Sequence, residues 1–250
     1  MTLRSQLGKL RAKVLSTAHS RLLPLHNQGP IISFCFDDFP RTAYTTGGAI
    51  LKSFGVGGTY YASLGLMNTS NELGDQFRQE DIESLLADGH ELGCHTYSHL
   101  SCRTVSLKAF ESDVLRGRQA IRELTGCDAG NFAYPRGHVS IRSKKKIGAH
   151  MSSCRGIYGG INDPAADLNL LRANSLYGDV DQHARFESLV SANVARRGWL
   201  IFYTHDVRRN PSAFGCTPEL FDRTVALAAE SGCRIASIKE ALAIFSKPSP

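Results

Sequence analysis

The chain has 250 residues, with 29 Lys and Arg against 23 Asp and Glu, a formal net charge of +6, 42% apolar and 21% charged residues. That balance is ordinary for a globular protein and excludes a low-hydrophobicity disordered chain, while 23 Gly and 9 Pro are far too few for a collagen or a low-complexity linker. A membrane-spanning helix needs about 20 consecutive apolar residues, and the cleanest run, at 199–203, is much shorter.

From the N-terminus, Leu3, Leu7, Leu10 and Val14 recur at helical spacing among Arg4, Lys9, Arg11, Lys13 and Arg21. Residues 1–28 therefore read as a basic amphipathic helical segment. A secretion signal would instead need an apolar stretch of about 7–15 residues after its charged start. The segment either packs on the domain or makes peripheral contact with an anionic membrane surface through residues 1–24. The seven cysteines are scattered, odd in number and without a CxxC pair. They read as small buried hydrophobes in a reducing compartment, so the expected location is the cytoplasm, with or without that membrane contact.

Further along, Ile31–Asp37 (IISFCFD) predicts a strand, with Pro40 just beyond it, and 43–54 a helix ending at Gly55. A strand at 59–64, a helix at 79–88 stopped by Gly89 and a short buried strand at 91–95 follow. The longest helical pattern, 107–124, places Phe110, Val114, Ile121 and Leu124 on one stripe and is closed by Gly126. Strands are predicted at 131–134, 170–172, 200–204 and 234–237, and helices at 181–196, 218–231 and 238–245. Strands alternating with helices of about 10–15 residues imply repeated βαβ units and a parallel sheet. The predicted fold is α/β, a distorted (β/α)7-type barrel forming a single domain over residues 29–250. In such a barrel, functional side chains gather at the C-terminal ends of strands. Lys144, Lys145 and Lys146 read as a solvated basic face; no nucleic-acid-binding module accompanies them, so no nucleic-acid partner is expected.

Four strand ends carry chemistry. Asp37 and Asp38 close the first strand. Side chains alternate along a strand, so both acids reach one site only if the chain turns away there. Acids at such a place need water, a partner or a metal; a solvated, helix-capping loop is the competing reading. His95 and His99 in HTYSH have the spacing of one face of a helical turn. That suits two imidazoles on one metal, and equally two unrelated core or surface histidines. Pro135 and Gly137 bracket Arg136 in FAYPRG, predicting a tight loop whose backbone N–H groups turn into a cleft. The apolar strand of IFYTHD ends at His205.

Each motif alone is compatible with a structural role. Together, SFCFDD, HTYSH, FAYPRG and IFYTHD, in that order, resemble the polysaccharide deacetylase family with NodB homology, carbohydrate esterase family 4, over residues 30–240. The resemblance implies that Asp38, His95 and His99 bind a divalent metal, zinc first, with cobalt, nickel or manganese as alternatives. It implies Asp37 as general base, His205 as general acid and the backbone N–H of Arg136 as an oxyanion donor. The implied activity removes an N-acetyl or other N-acyl group from an amino sugar in an oligo- or polysaccharide, with metal-bound water as nucleophile. Tyr134, Pro135 and Trp199 are expected on the pocket wall.

Three features depart from the family pattern. Ala133 stands where the family carries an arginine that tunes the base, so Arg172 or Arg136 is expected to replace it. The family's Asp-Trp motif is missing, and the only tryptophan is Trp199. The lack of a secretion signal moves the expected substrate from wall polymer towards a soluble oligosaccharide or a lipid- or nucleotide-linked sugar. Two alternatives stand beside the main reading: a deacylase or deformylase of a lipid-linked or other non-polymeric amide, and a carbohydrate-binding pseudoenzyme. The intact set of Asp37, Asp38, His95, His99 and His205 argues against the last.

Overall fold

The structure is a computed structural model that describes residues 14–15, 17–25 and 28–247. Most of the basic segment expected over 1–28, and with it most of the proposed membrane contact through 1–24, lies outside the described residues.

The described strands are β1 (Leu22–Pro24), β2 (Ile31–Asp37), β3 (Thr59–Ala62), β4 (Ser70–Asn71), β5 (Gly74–Asp75) and β6 (Glu91–Cys94). They continue with β7 (Asn131–Ala133), β8 (Ser153–Arg155), β9 (Ala165–Asp167), β10 (Asn174–Ser175), β11 (Trp199–Thr204) and β12 (Arg234–Ile235). Eight of them form one sheet in the order β10-β11-β2-β3-β6-β7-β8, with β12 also pairing with β2. Every pairing in this sheet is parallel. The sheet curls into a half-barrel, and its ends, β8 and β10, are not paired with each other.

Parallel strands are covered on both faces and so read as unbroken apolar runs. β2 is buried at every residue. Its alternation splits the core in two. Ile32, Phe34 and Phe36 join Leu200 and Phe202 under the outer helices, packing with Phe186, Phe221 and Val225. Ile31 and Cys35 face inward with Tyr61, Ala133, Trp199, Ile201 and Tyr203, and helix Ile238–Phe245 covers this inner cluster with Ile238, Ala241 and Phe245. Helix Leu107–Thr125 is as legible in space as in sequence: the Ser106 hydroxyl accepts from the Ala109 N–H at 3.2 Å, and Gly126 ends it with φ 72°.

Several expectations need correction. Within the segment expected to be helical over 1–28, Leu22–Pro24 forms a strand that pairs antiparallel with β9. The strand expected at 170–172 is absent; Leu171 makes only an isolated bridge to Arg155, between β9 and β10. Helix Ile141–Gly148 and strand β8 occupy a stretch that carried no prediction. Lys144 is not on a solvated face. It is 0% exposed, and its Nζ lies 2.6 Å from Asp167 Oδ2 and donates to the Leu15 carbonyl at 2.7 Å. This buried cation thus ties the N-terminal segment to β9, which itself pairs with β1. No described helix is long and apolar enough to cross a membrane.

Candidate active site

Alternation along β2 sends Asp37 to the inner face, the side of Ile31 and Cys35. The chain then turns sharply, with Asp38 and Phe39 both at φ 62°. Left-handed backbone costs a non-glycine residue about 1–3 kcal/mol. Here it is held by Phe39, fully buried against Phe77 and Tyr60 with ring centroids 4.9 and 5.1 Å away. This turn lets two adjacent carboxylates enter one cleft.

His95 and His99 converge by a route other than the helical turn suggested by their spacing. They lie in irregular chain after β6, with Thr96 at φ 66° and His99 at φ 55°. The loop is pinned by Asp113 of helix Leu107–Thr125, whose carboxylate accepts from the Ser98 N–H at 2.9 Å and the Ser98 hydroxyl at 3.0 Å. Gly117 of the same helix makes the approach possible, since a Cβ there would lie 2.6 Å from the Thr96 carbonyl. The two imidazole centroids end 5.2 Å apart.

His95 Nε2 and His99 Nε2 lie 3.3 and 3.1 Å from the same oxygen, Asp38 Oδ1. His95 Nδ1 is 2.8 Å from the Ala133 carbonyl. A carbonyl only accepts, so Nδ1 carries the hydrogen, and in the neutral tautomer that this selects the lone pair of Nε2 turns towards Asp38. Asp38 Oδ1 is buried without a hydrogen-bond donor in place. A lone pair aimed at a buried carboxylate oxygen is unfavourable unless a positive charge sits between them. The three ligand atoms lie within 4.8 Å of one another, and two nitrogens with one carboxylate fit a divalent cation of the zinc class.

Asp37 is engaged by a residue that the sequence reading missed. Arg155, at the end of β8 and 0% exposed, donates Nη2 to both Asp37 oxygens, at 2.5 Å to Oδ2. Its guanidinium lies 4.8 Å from the Tyr203 ring centroid and 5.2 Å from that of Tyr61. Burial works against this charged guanidinium, and Asp37 beside it keeps it protonated. Arg172 instead donates to the Gly159 carbonyl at 3.2 Å, and the Arg136 side chain is exposed at the cleft. Neither is the partner of Asp37. The available signal was an arginine inside the buried run SCR followed by Gly156.

Arg136 adopts φ 58° between buried Pro135 and Gly137. The Gly137 and His138 N–H groups donate to the Tyr134 and Pro135 carbonyls at 2.9 and 3.1 Å, whereas the Arg136 N–H has no acceptor among the described residues. His205, just past β11, has Nε2 3.9 Å from Asp38 Oδ2 and Nδ1 3.1 Å from the Phe214 carbonyl.

Asp37, Asp38, His95, His99, Arg136 and His205 all line one cleft of about 650 Å³. Its apolar walls include Leu66, Leu73, Ile157, Tyr177 and Phe214. The expected wall residues lie elsewhere. Trp199 is buried at the far end of its strand, donating Nε1–H to Ser33 Oγ at 2.9 Å and packing on Phe245. Tyr134 points to the outer core against Phe132, at 5.0 Å, and buried Pro135 does not line the cleft.

Residues 26–151, just over half of the chain, match the polysaccharide deacetylase family. The match includes the acid pair, the histidine pair and Arg136, and ends before Arg155 and His205. Among solved structures, the chain resembles the chitin deacetylase from the fungal pathogen Colletotrichum lindemuthianum, with a TM-score of 0.62, 20% identity and coverage of 90% of this chain and 92% of that one. Streptococcus pyogenes deacetylase PplD, solved in complex with acetate, matches with a TM-score of 0.50 and 17% identity over 57% of this chain and 62% of that one. IcaB from Ammonifex degensii matches with a TM-score of 0.46 and 21% identity over 50% of this chain and 58% of that one. The chain thus spans less than two thirds of the latter two structures. No curated protein sequence matches significantly. Because the family match itself covers half of the sequence, and the half-barrel gathers the matched motifs into one cleft, the chain belongs to the polysaccharide deacetylase family.

Proposed function

We propose that the protein is a metal-dependent hydrolase that removes an N-acyl group, N-acetyl first, from an amino sugar. The observation that carries this reading is the approach of Asp38, His95 and His99 to within 4.8 Å of one another, with Asp37 and His205 facing the same cleft. Zinc is the first candidate for the cation, with cobalt, nickel or manganese as alternatives. Once bound, such an ion polarises an amide carbonyl and lowers the pKa of water from 15.7 to about 7.

The chain's own residues supply the rest. Asp37 takes the proton of the attacking water, and Arg155 holds that carboxylate in place. General-base assistance of this kind contributes about 10²–10⁴-fold. The free N–H of Arg136 donates to the carbonyl oxygen as it becomes negative, and loss of one such donor costs about 10²–10³-fold. His205 gives the proton of Nε2 to the nitrogen as the C–N bond breaks, since an amide anion is too poor a leaving group to depart alone.

The cleft volume of about 650 Å³ falls within the range of ~300–1,000 Å³ typical of small-ligand pockets. A sugar unit with its acyl group fits such a space. A second reading, a deacylase or deformylase of a lipid-linked sugar amide, is favoured by apolar side chains at the rim: Phe214 is 51% and Ile157 41% exposed. Acetate or formate release, measured on chitin oligomers and on lipid-linked N-acetyl and N-formyl amino sugars, tests both. Release from oligomers supports the main reading and release from the lipid-linked series alone supports the second. No release from any of them by the metal-loaded protein overturns both.

A further inference from the structure

His205 lies beside a fully buried carboxylate, Asp206, that does not touch the imidazole. Instead it organises the loop 206–216. Asp206 Oδ2 accepts from the Ser212 N–H at 2.8 Å and Oδ1 from the Ser212 hydroxyl at 2.5 Å, and Arg208 Nε lies 2.7 Å from Oδ2. The Asp206 carbonyl accepts from the Cys216 N–H at 2.9 Å. Gly215 sits hard against this residue, since a Cβ there would lie 2.4 Å from Asp206 Oδ1. Phe214 is therefore held between two points, Ser212 and Gly215, that are both fastened to Asp206.

The Phe214 carbonyl accepts from the His205 backbone N–H at 3.1 Å and lies 3.1 Å from His205 Nδ1. A carbonyl cannot donate, so Nδ1 keeps its hydrogen whether the ring is neutral or charged. The nitrogen that loses and regains a proton is then Nε2, the one facing Asp38 across the cleft at 3.9 Å. The ring plane is set by Phe214 and Tyr177, with centroids 5.7 and 6.0 Å from the imidazole. The contact that orients Nδ1 is thus a neutral carbonyl.

We propose that Asp206 is the positioning residue for His205, acting through Ser212 and Gly215 to place the Phe214 carbonyl that fixes the tautomer and aim of the imidazole. This rests on His205 being the acid of the proposed reaction. A general acid matters for an amine leaving group and much less for one that departs as a stable anion, so the two kinds of substrate separate the acid's contribution from everything else the site does.

The test compares kcat on an N-acetylated chitin oligomer with kcat on 4-nitrophenyl acetate, which expels a stable phenolate. It uses the metal-loaded full chain and the variants His205→Ala, Asp206→Ala and Ser212→Ala, with metal content measured in each. We expect Asp206→Ala and Ser212→Ala to raise the ester-to-amide ratio of kcat by about 10-fold or more, in the same direction as His205→Ala, whose loss on the amide is about 10²–10⁴-fold. An His205→Ala variant that loses both activities equally overturns the acid role itself, and with it the basis of this proposal. An amide-selective loss in His205→Ala, combined with equal losses on both substrates or no loss in the loop variants, overturns the positioning role of Asp206 alone. Ser212→Ala retains the Asp206–Arg208 ion pair and carries the test if Asp206→Ala does not fold.

Discussion

Ala133 and Arg155 stand side by side in parallel register on neighbouring strands β7 and β8. The arginine that the resemblance leads one to expect at position 133 is thus present one strand away. β8 and β2 are separated in the sheet by β3, β6 and β7, and the curl of the half-barrel brings Arg155 to Asp37 across its interior. Removing one partner of a buried ion pair costs about 3–5 kcal/mol because the other charge is left alone. Arg155→Met should therefore lower unfolding stability by about that much and sharply reduce kcat. Arg172→Ala, a surface change, should stay within about 0.5 kcal/mol. Denaturant unfolding and turnover of both variants check this; a larger catalytic loss in Arg172→Ala would contradict the pairing.

The metal reading has a consequence for stability. A ligand bound only by the folded chain stabilises it by about 2.7 kcal/mol at 100 times its Kd. Dialysis against a chelator should lower Tm, and added zinc should restore it. Asp38→Asn should weaken the zinc response markedly, because the oxygen shared by His95 and His99 is then neutral. A wild-type Tm indifferent to both treatments would count against a cation at this place.

Gly117→Ala should damage the site from a distance. Alanine favours a helix over glycine by about 1 kcal/mol, but its Cβ would lie 2.6 Å from the Thr96 carbonyl, in the loop that carries both histidines. Overpacking of this sort costs about 1–3 kcal/mol. The expected result is weaker zinc binding by calorimetry with the helix content kept in circular dichroism. Undiminished zinc affinity would show that the loop is not held by this contact.

The cysteines should fall into two kinetic groups. Burial pushes the thiols of Cys94, Cys154 and Cys216 up to about 12, and that of Cys35 higher still. Only thiolates react readily. With Ellman's reagent at pH 8, exposed Cys127 should react first, and these four only on unfolding. Fast modification of Cys35 in the folded protein would contradict its place beside Asp37 and Arg155.

The sequence made some of this legible and concealed the rest for identifiable reasons. β2 could be read because a parallel strand buried on both faces is apolar at nearly every position, and helix Leu107–Thr125 because Ser106 and Gly126 mark its ends. The same lack of alternation hid which residues of β11 reach the cleft. Trp199 and Tyr203 share the inner face, but at about 3.3 Å per residue Trp199 lies some four positions deeper, among the core residues. β8 was hidden because three residues, one of them charged, do not make a strand pattern. Leu170 and Leu171 do look like a strand, yet apolarity signals burial and not pairing. The convergence of His95 and His99 depends on left-handed backbone at Thr96 and His99, residue types that do not announce it.

The most direct test of the central claim pairs two quantities on the same preparation: divalent metal per chain and acyl release from N-acetylated amino-sugar substrates, for the wild type, His99→Ala and Asp37→Asn. The expected outcome is a single bound ion with turnover in the wild type, loss of both in His99→Ala, and an ion retained without useful turnover in Asp37→Asn. Turnover that persists in the metal-free wild type, or a full complement of metal in His99→Ala, would contradict the assignment of Asp38, His95 and His99 as the centre of the reaction.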